Sequence, residues 1–176
     1  MRTARDSERP IIIVTDTSVL INFLVIDRTD LLAGLSSSFA ITDHVVTEIA
    51  DHYPEQQVRL REALEDGVME QCTVTGEDAL SLFGTLQGTH RLGSGESSAI
   101  AYAATHGFSL AIDDRRAARQ ARAVSRDLVV LSTQDLVVSM IGENLLDIAE
   151  ADTIKTAWAE HHRFRLKIGS FGELID

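Results

Sequence analysis

The sequence predicts an α/β fold in which helices flank a central, mainly parallel sheet. Short β-branched apolar runs alternate with longer helical stretches along the chain, the pattern of strands joined by right-handed crossovers. Ile11 to Val14 is apolar on successive residues, as expected of a strand covered on both faces. Cap and stop residues stand at the borders of the helical stretches, among them Thr42, Asp43 and Ser94 before them and Gly67 and Gly107 after them.

The elements follow in order. After the first strand, Val19 to Ile26 is apolar nearly all round, and Asp30 to Leu35 continues in helical character. Ser38 to Ile41 is a second strand, followed by helices over His44 to His52 and Glu55 to Glu65. Val68 to Val74 reads as an edge strand and Glu77 to Leu86 as a helix. Ser94 is expected to cap a helix from Gly95 to Thr105. Phe108 to Ile112 is a strand, Arg115 to Ser125 a helix, Leu128 to Leu131 a strand, and Thr133 to Ile141 a helix. Asp147 with Glu150 forms a capping pair for a last helix reaching Trp158, whose apolar positions Ile148, Ala151, Ile154 and Trp158 share one face. Phe164 to Ile168 is expected to be a final strand.

Composition bounds the function. A chain of 176 residues with 44% hydrophobic content, 2 Pro and 11 Gly can bury one self-sufficient core. Residues 1–9 are polar and expected to be flexible. The single Cys72 cannot close an internal disulfide and reads as a small buried apolar residue. No apolar run reaches the ~20 residues of a membrane span, so a cytoplasmic protein without a membrane partner is expected. A net charge of −11 opposes non-specific adhesion to nucleic acid or anionic lipid. A polyanionic substrate would have to be met by a local basic patch or by metal ions.

Chemistry is concentrated in acids at strand ends. Parallel sheets gather their working groups beyond the carboxyl ends of the strands. Asp16 directly follows the first strand, and the pair Asp113–Asp114 in FSLAIDDRRAAR follows another. Glu48 lies in the helix after the second strand, and Glu96 in the first turn of its helix, where a negative charge is favoured. Carboxylates facing a common cavity repel one another unless a divalent cation sits among them. Ligation by oxygen alone selects a hard ion, Mg²⁺ or Mn²⁺. Taken singly, each acid is more often a turn former, a cap or a solvated helix residue; the joint placement carries the expectation.

These residues resemble the PIN-domain ribonucleases, particularly the branch that includes VapC-like toxins. The resemblance runs through VTDTSVLINFL (14–24), TDHVVTEI (42–49), RLGSGESSAIAYA (91–103), LAIDDRRAARQA (110–121) and VVLST (129–133). It implies a three-layer PIN-like sandwich and Mg²⁺- or Mn²⁺-dependent hydrolysis of RNA, with Asp16, Glu48, Glu96 and Asp114 as catalytic acids. It also implies metal ligation by Asp16, Glu96, Asp113 and Asp114, supported by Thr17, Ser18 and Thr133. A homodimer and a cognate antitoxin protein are the partners it suggests. The adjacent pair DD departs from the family's spaced pattern, which leaves the roles of Asp113 and Asp114 open; Asp114 is favoured for direct work and Asp113 for support.

Arg115, Arg119, Arg122 and Arg126 recur at helical spacing with Arg116 beside them. Arg115, Arg116 and Arg119 are expected to hold RNA phosphates next to the acids; a solvated helix face is the plain alternative for Arg122 and Arg126. His161 and His162 suit the C-terminal end of the last helix and not a metal site. The domain is expected over residues 10–142, with 143–176 as a helical extension packed on it. The competing function is a non-catalytic protein-binding module on the same fold. An aspartyl phosphotransfer domain is disfavoured because Ser18 stands where its second acid would be needed, and STQD after the last strand supplies no lysine.

Overall fold

A computed structural model describes residues 11–175 of the chain. The expected flexible stretch 1–9 lies outside the described residues. Five strands, β1 (Ile12–Thr15), β2 (Ser38–Thr42), β3 (Met69–Cys72), β4 (Ser109–Ala111) and β5 (Val130–Leu131), form one parallel sheet in the order β3-β2-β1-β4-β5. Between and after them run α1 (Thr17–Val25), α2 (Asp30–Gly34), α3 (Asp43–His52), α4 (Pro54–Glu65), α5 (Glu77–Gly88), α6 (Ser94–His106), α7 (Arg115–Val124), α8 (Thr133–Gly142) and α9 (Ile148–His161). The α/β sandwich expected from the sequence is the architecture observed.

Strand alternation builds two cores. Ile13, Phe39, Ile41 and Ala111 face a cluster with Leu20, Phe23, Leu24 and Ile49, closed by Leu136, Met140 and Trp158. Val14, Ala40, Leu110 and Ile112 face the opposite cluster, with Leu86, Ile100, Ala103, Ala117 and Ala121. Successive strand side chains point to opposite faces, so an all-apolar strand must be covered twice. Alanines on α6 and α7 let those helices lie close on the sheet. β3 pairs with β2 alone, the edge position expected of it.

Several local expectations change. Helix α6 opens at Ser94 with Gly93 in the cap position; Ser94 is therefore not the cap, and the Glu96 carboxylate accepts the Gly93 N–H at 3.0 Å instead. Helix α7 ends at Val124, which leaves Arg126 beyond the helical stripe it was expected to continue. Cys72 is half-buried rather than buried, and its thiol donates to the Ile41 carbonyl at 3.4 Å. Burial raises that thiol's pKa to about 11, so it is a poor nucleophile at neutral pH.

Phe164 to Ile168 is not a strand. Its residues do alternate, with Phe164, Leu166 and Ile168 packed on the first core and Arg163, Arg165 and Lys167 exposed. No strand among the described residues pairs with it. Side-chain burial alone explains the period of two. The segment is anchored by Phe164 against Trp158, ring centroids 5.4 Å apart, and by Asp152, which accepts from Ser170 Oγ at 2.6 Å and Phe171 N at 2.8 Å.

Trp158 is fully buried, meets Phe23 edge-on, and donates from Nε1 to the Asn22 carbonyl at 2.8 Å. It thereby fixes α9 to α1, the helix that opens on Asp16. Trp158→Ala is expected to cost ~3–5 kcal/mol in urea unfolding; a loss below ~1 kcal/mol would show that the tail does not support the body.

Candidate functional site: a carboxylate pocket at the switch point of the sheet

The chain runs from β1 through β2 to β3 on one side, then crosses back to β4 and β5 on the other, so the strand order reverses between β1 and β4 and a crevice opens beyond their carboxyl ends. Asp16 stands there at the end of β1 and N-caps α1. Its Oδ2 accepts from Ser18 N at 3.1 Å and Ser18 Oγ at 2.8 Å, while its backbone N–H donates to the Ala111 carbonyl at 2.9 Å. Ser18 Oγ in turn accepts the Asp113 N–H at 3.0 Å. One hydroxyl therefore couples the first acid to the backbone of the fourth motif.

The two adjacent aspartates do different things. Asp113 is half-buried and accepts from Thr133 N at 2.8 Å, Thr133 Oγ1 at 2.6 Å and Asn22 Nδ2 at 3.1 Å. Asp114 is exposed and N-caps α7, with Oδ1 accepting from Arg116 N at 2.9 Å and Ala117 N at 2.8 Å. Asn22 was absent from the sequence-based set. It is buried and also reaches the Ser18 carbonyl and Thr133 Oγ1, both at 3.0 Å. The available signal was an amide inside the otherwise apolar stretch VLINFLV, where a buried polar group needs partners.

Glu48 and Glu96 approach from the α3 and α6 side. The Glu48 carboxylate lies directly against Gly95: a Cβ added there would collide with Glu48 Oε2 and stand 3.5 Å from Thr17 Oγ1. Glycine is thus what admits Glu48 beside Thr17 and the first turn of α6. Asp16 Oδ1, Thr17 Oγ1 and Ser97 Oγ are buried and have no hydrogen-bond partner among the described residues. Unsatisfied buried oxygens are costly, and those of Asp16 and Thr17 lie on consecutive residues at the opening of α1.

Electrostatics agree with this grouping. Burial pushes the Asp16 pKa from 3.8 up to about 6; hydrogen bonds from Ser18 oppose the rise, and the charges of Glu96 and Glu48 add to it. Glu96 is raised by burial, then by Asp114 and Glu48, against the Gly93 hydrogen bond. Asp113 is raised by burial, held back by Thr133. Asp16, Glu48, Glu96 and Asp114 therefore belong to one electrostatic neighbourhood, and Asp113 to the hydrogen-bonded layer behind it. Oxygen donors with an unpartnered, buried carboxylate oxygen fit a hard divalent cation. Among the described residues, no three His, Cys, Asp or Glu side chains stand in ligating distance of a single point.

The arginines divide. Arg115, Arg119 and Arg122 line a cleft of about 680 Å³ beside Asp113. Arg116 instead donates to the carbonyls of His90 and Arg91, tying α7 to the loop before α6. Glu48 also borders a cavity of about 390 Å³ lined by His44, Asp51 and His52, none of which stood among the expected site residues.

A PIN-domain family model matches residues 12–151. The chain belongs to the PIN-domain family. Its PIN fold is also that of a solved protein from Pyrobaculum aerophilum, PAE2754, at 11% identity over 83% of this chain and 99% of that one, TM-score 0.50. Two further solved structures resemble it more distantly. VapBC2 from Rickettsia felis, bound to a DNA fragment from its promoter, gives 14% identity over 69% of this chain and 98% of that one, TM-score 0.49. FitAcB from Neisseria gonorrhoeae gives 16% identity over 69% and 97%, TM-score 0.43. No curated protein matches by sequence.

The Asp16 shift has a measurable sign. Its folded-state pKa lies above the unfolded value, so the native state binds more protons across that window. Stability is therefore lost as pH rises from about 4 to about 6. Asp16→Asn keeps an oxygen for Ser18 and removes the charge. Without added metal it should be more stable than the parent by ~1–3 kcal/mol at about pH 8, with the gap closing at about pH 3.5. A destabilised variant at the higher pH contradicts the assigned shift.

Proposed function

We propose that this PIN-domain protein is a Mg²⁺- or Mn²⁺-dependent endoribonuclease that hydrolyses phosphodiester bonds with water as nucleophile. The observation that carries the reading is the Asp16 carboxylate at the switch point, with one oxygen oriented by Ser18 and the other buried without a partner, beside Glu48, Glu96 and Asp114. In this reading Asp16, Glu96 and Asp114 hold the cation. When bound, the ion acts as a Lewis acid that makes water more acidic and screens phosphate charge.

The chain's own groups account for the rest. Ser18 fixes the direction of the Asp16 carboxylate, and Asn22, Thr133 and Asp113 fix Ser18 and the end of β4. Asp113 is thus a positioning residue, occupied by three donors, whereas Asp114 has one oxygen uncommitted. Glu48 is placed to orient an attacking water. Its proximity to Gly95 sets that position. Arg115 and Arg119 hold phosphates on the α7 side, since an overall charge of −11 requires local compensation for a polyanion. No helix among the described residues is long and apolar enough to cross a membrane. A homodimeric toxin restrained by a cognate antitoxin protein is the biological setting we propose with this activity.

Cleavage of single-stranded RNA in Mn²⁺ is the direct test. Asp16→Asn should lower the rate on the order of 100-fold or more while the protein stays folded; undiminished Mn²⁺-dependent cleavage refutes the role of Asp16. Gly95→Ala should lower it by roughly tenfold with a stability change under ~1 kcal/mol, because the added methyl displaces only the end of the Glu48 side chain. Normal activity in that variant would dismiss Glu48 as a participant.

A further inference from the structure

We infer that the segment 163–168 forms the second wall of an RNA-binding trough, with Arg165 and Lys167 holding backbone phosphates opposite Arg115 and Arg119; this rests on the nuclease reading above. The segment lies beyond residues 12–151 matched by the family model. Its apolar residues Phe164, Leu166 and Ile168 are pinned to the core, so the intervening cations are directed outward on an immobilised backbone. Lys155 reinforces the pinning by donating to the Ile168 and Gly169 carbonyls. Ordering entropy that free lysine and arginine tails would lose on binding is thereby partly spent in folding.

Position points the segment at the site. A cleft of about 280 Å³ has Arg165 and Lys167 on one side and Asp113, Arg115 and Ser132 on the other. Asp113, Arg115 and Ser132 also border the cleft of about 680 Å³ that holds Arg119 and Arg122. The two clefts thus form one trough starting beside the carboxylate pocket. A strand passing the acids would continue into it.

Charge selects the occupant. Arg115, Arg119, Arg122, Arg165 and Lys167 make no ion pair and no side-chain hydrogen bond among the described residues, although the chain has 27 acids against 16 Lys and Arg. The acids within the trough are already engaged, Asp113 by Thr133 and Asn22, and Asp135 by Ser132 N and Oγ, both at 2.7 Å. Arg165 and Lys167 flank the partly buried Leu166 and are both exposed, so two cations of one short segment are available to phosphates of the same strand. A regular line of cations leading away from a hydrolytic site suits a continuous phosphodiester chain better than the scattered carboxylates of a protein.

The test measures binding without metal, in an Asp16→Asn background, using fluorescein-labelled single-stranded RNA at several salt concentrations. Arg165→Ala with Lys167→Ala should weaken binding by roughly 10-fold and reduce the slope of log K against log salt by about 1.4. Arg165→Lys with Lys167→Arg should restore the slope. Arg28→Gln with Arg61→Gln, which removes the same charge outside the trough, should leave both unchanged. Equal losses in the tail and control pairs, no loss in the tail pair, no RNA binding by the parent, or displacement of RNA by poly-glutamate as effective as by unlabelled RNA each overturn the trough. Failure of the nuclease reading is seen separately, as absence of Mn²⁺-dependent cleavage by the unsubstituted protein.

Discussion

A carboxylate buried where β1 and β4 part is the constraint around which the rest of the chain is arranged. Asp16 must follow its strand with its N–H on the Ala111 carbonyl, cap α1 and keep its charge-bearing group away from water. Each demand is met locally, yet together they leave one oxygen without a partner. Folding alone would favour a different residue there. An asparagine, or a serine cap, satisfies the helix without the desolvation that raises Asp16 to about 6. The stability surrendered at this point is the physical ground on which the proposed role of Asp16 rests.

Support for that acid comes from both ends of the chain. Ser18 carries the orientation from Asp16 to the Asp113 backbone, and Asn22 gathers Ser18, Asp113 and Thr133 into one buried network. The carbonyl of the same Asn22 receives Trp158. A tail that follows the last strand thus stiffens the helix that opens the site. Such a network is worth more complete than in parts, because each member left alone would be an unpaired polar group in a dry interior.

Most of the fold and the acid stations were legible in the sequence because periodicity and caps are local signals. Asp147 and Glu150 do form the reciprocal cap, and the two-faced burial of Ile13 and Val14 follows from their apolar run. Features set by distant partners were not legible. Nothing local tells that Arg116 turns to the His90 and Arg91 carbonyls while Arg115 and Arg119 stay free, or that Asn22 finds Asp113. The segment 164–168 shows the same limit: alternation reports which side chains are buried, not whether a strand lies alongside.

That distinction matters for how an acidic protein handles a polyanion. Beyond a screening length of about 8 Å at physiological ionic strength, the sign of the whole molecule counts for little and the nearest charges dominate. Hydrogen bonds from neutral hydroxyls and amides leave a carboxylate its charge but take up its oxygens, so a neighbouring arginine makes no direct contact with them. Asp113 and Asp135 are occupied in this way, by Thr133 and by Ser132. Among the described residues the adjacent arginines accordingly form no ion pair with these acids. Local geometry thereby gathers Arg115, Arg119 and Arg122 along one cleft of a chain whose net charge is −11.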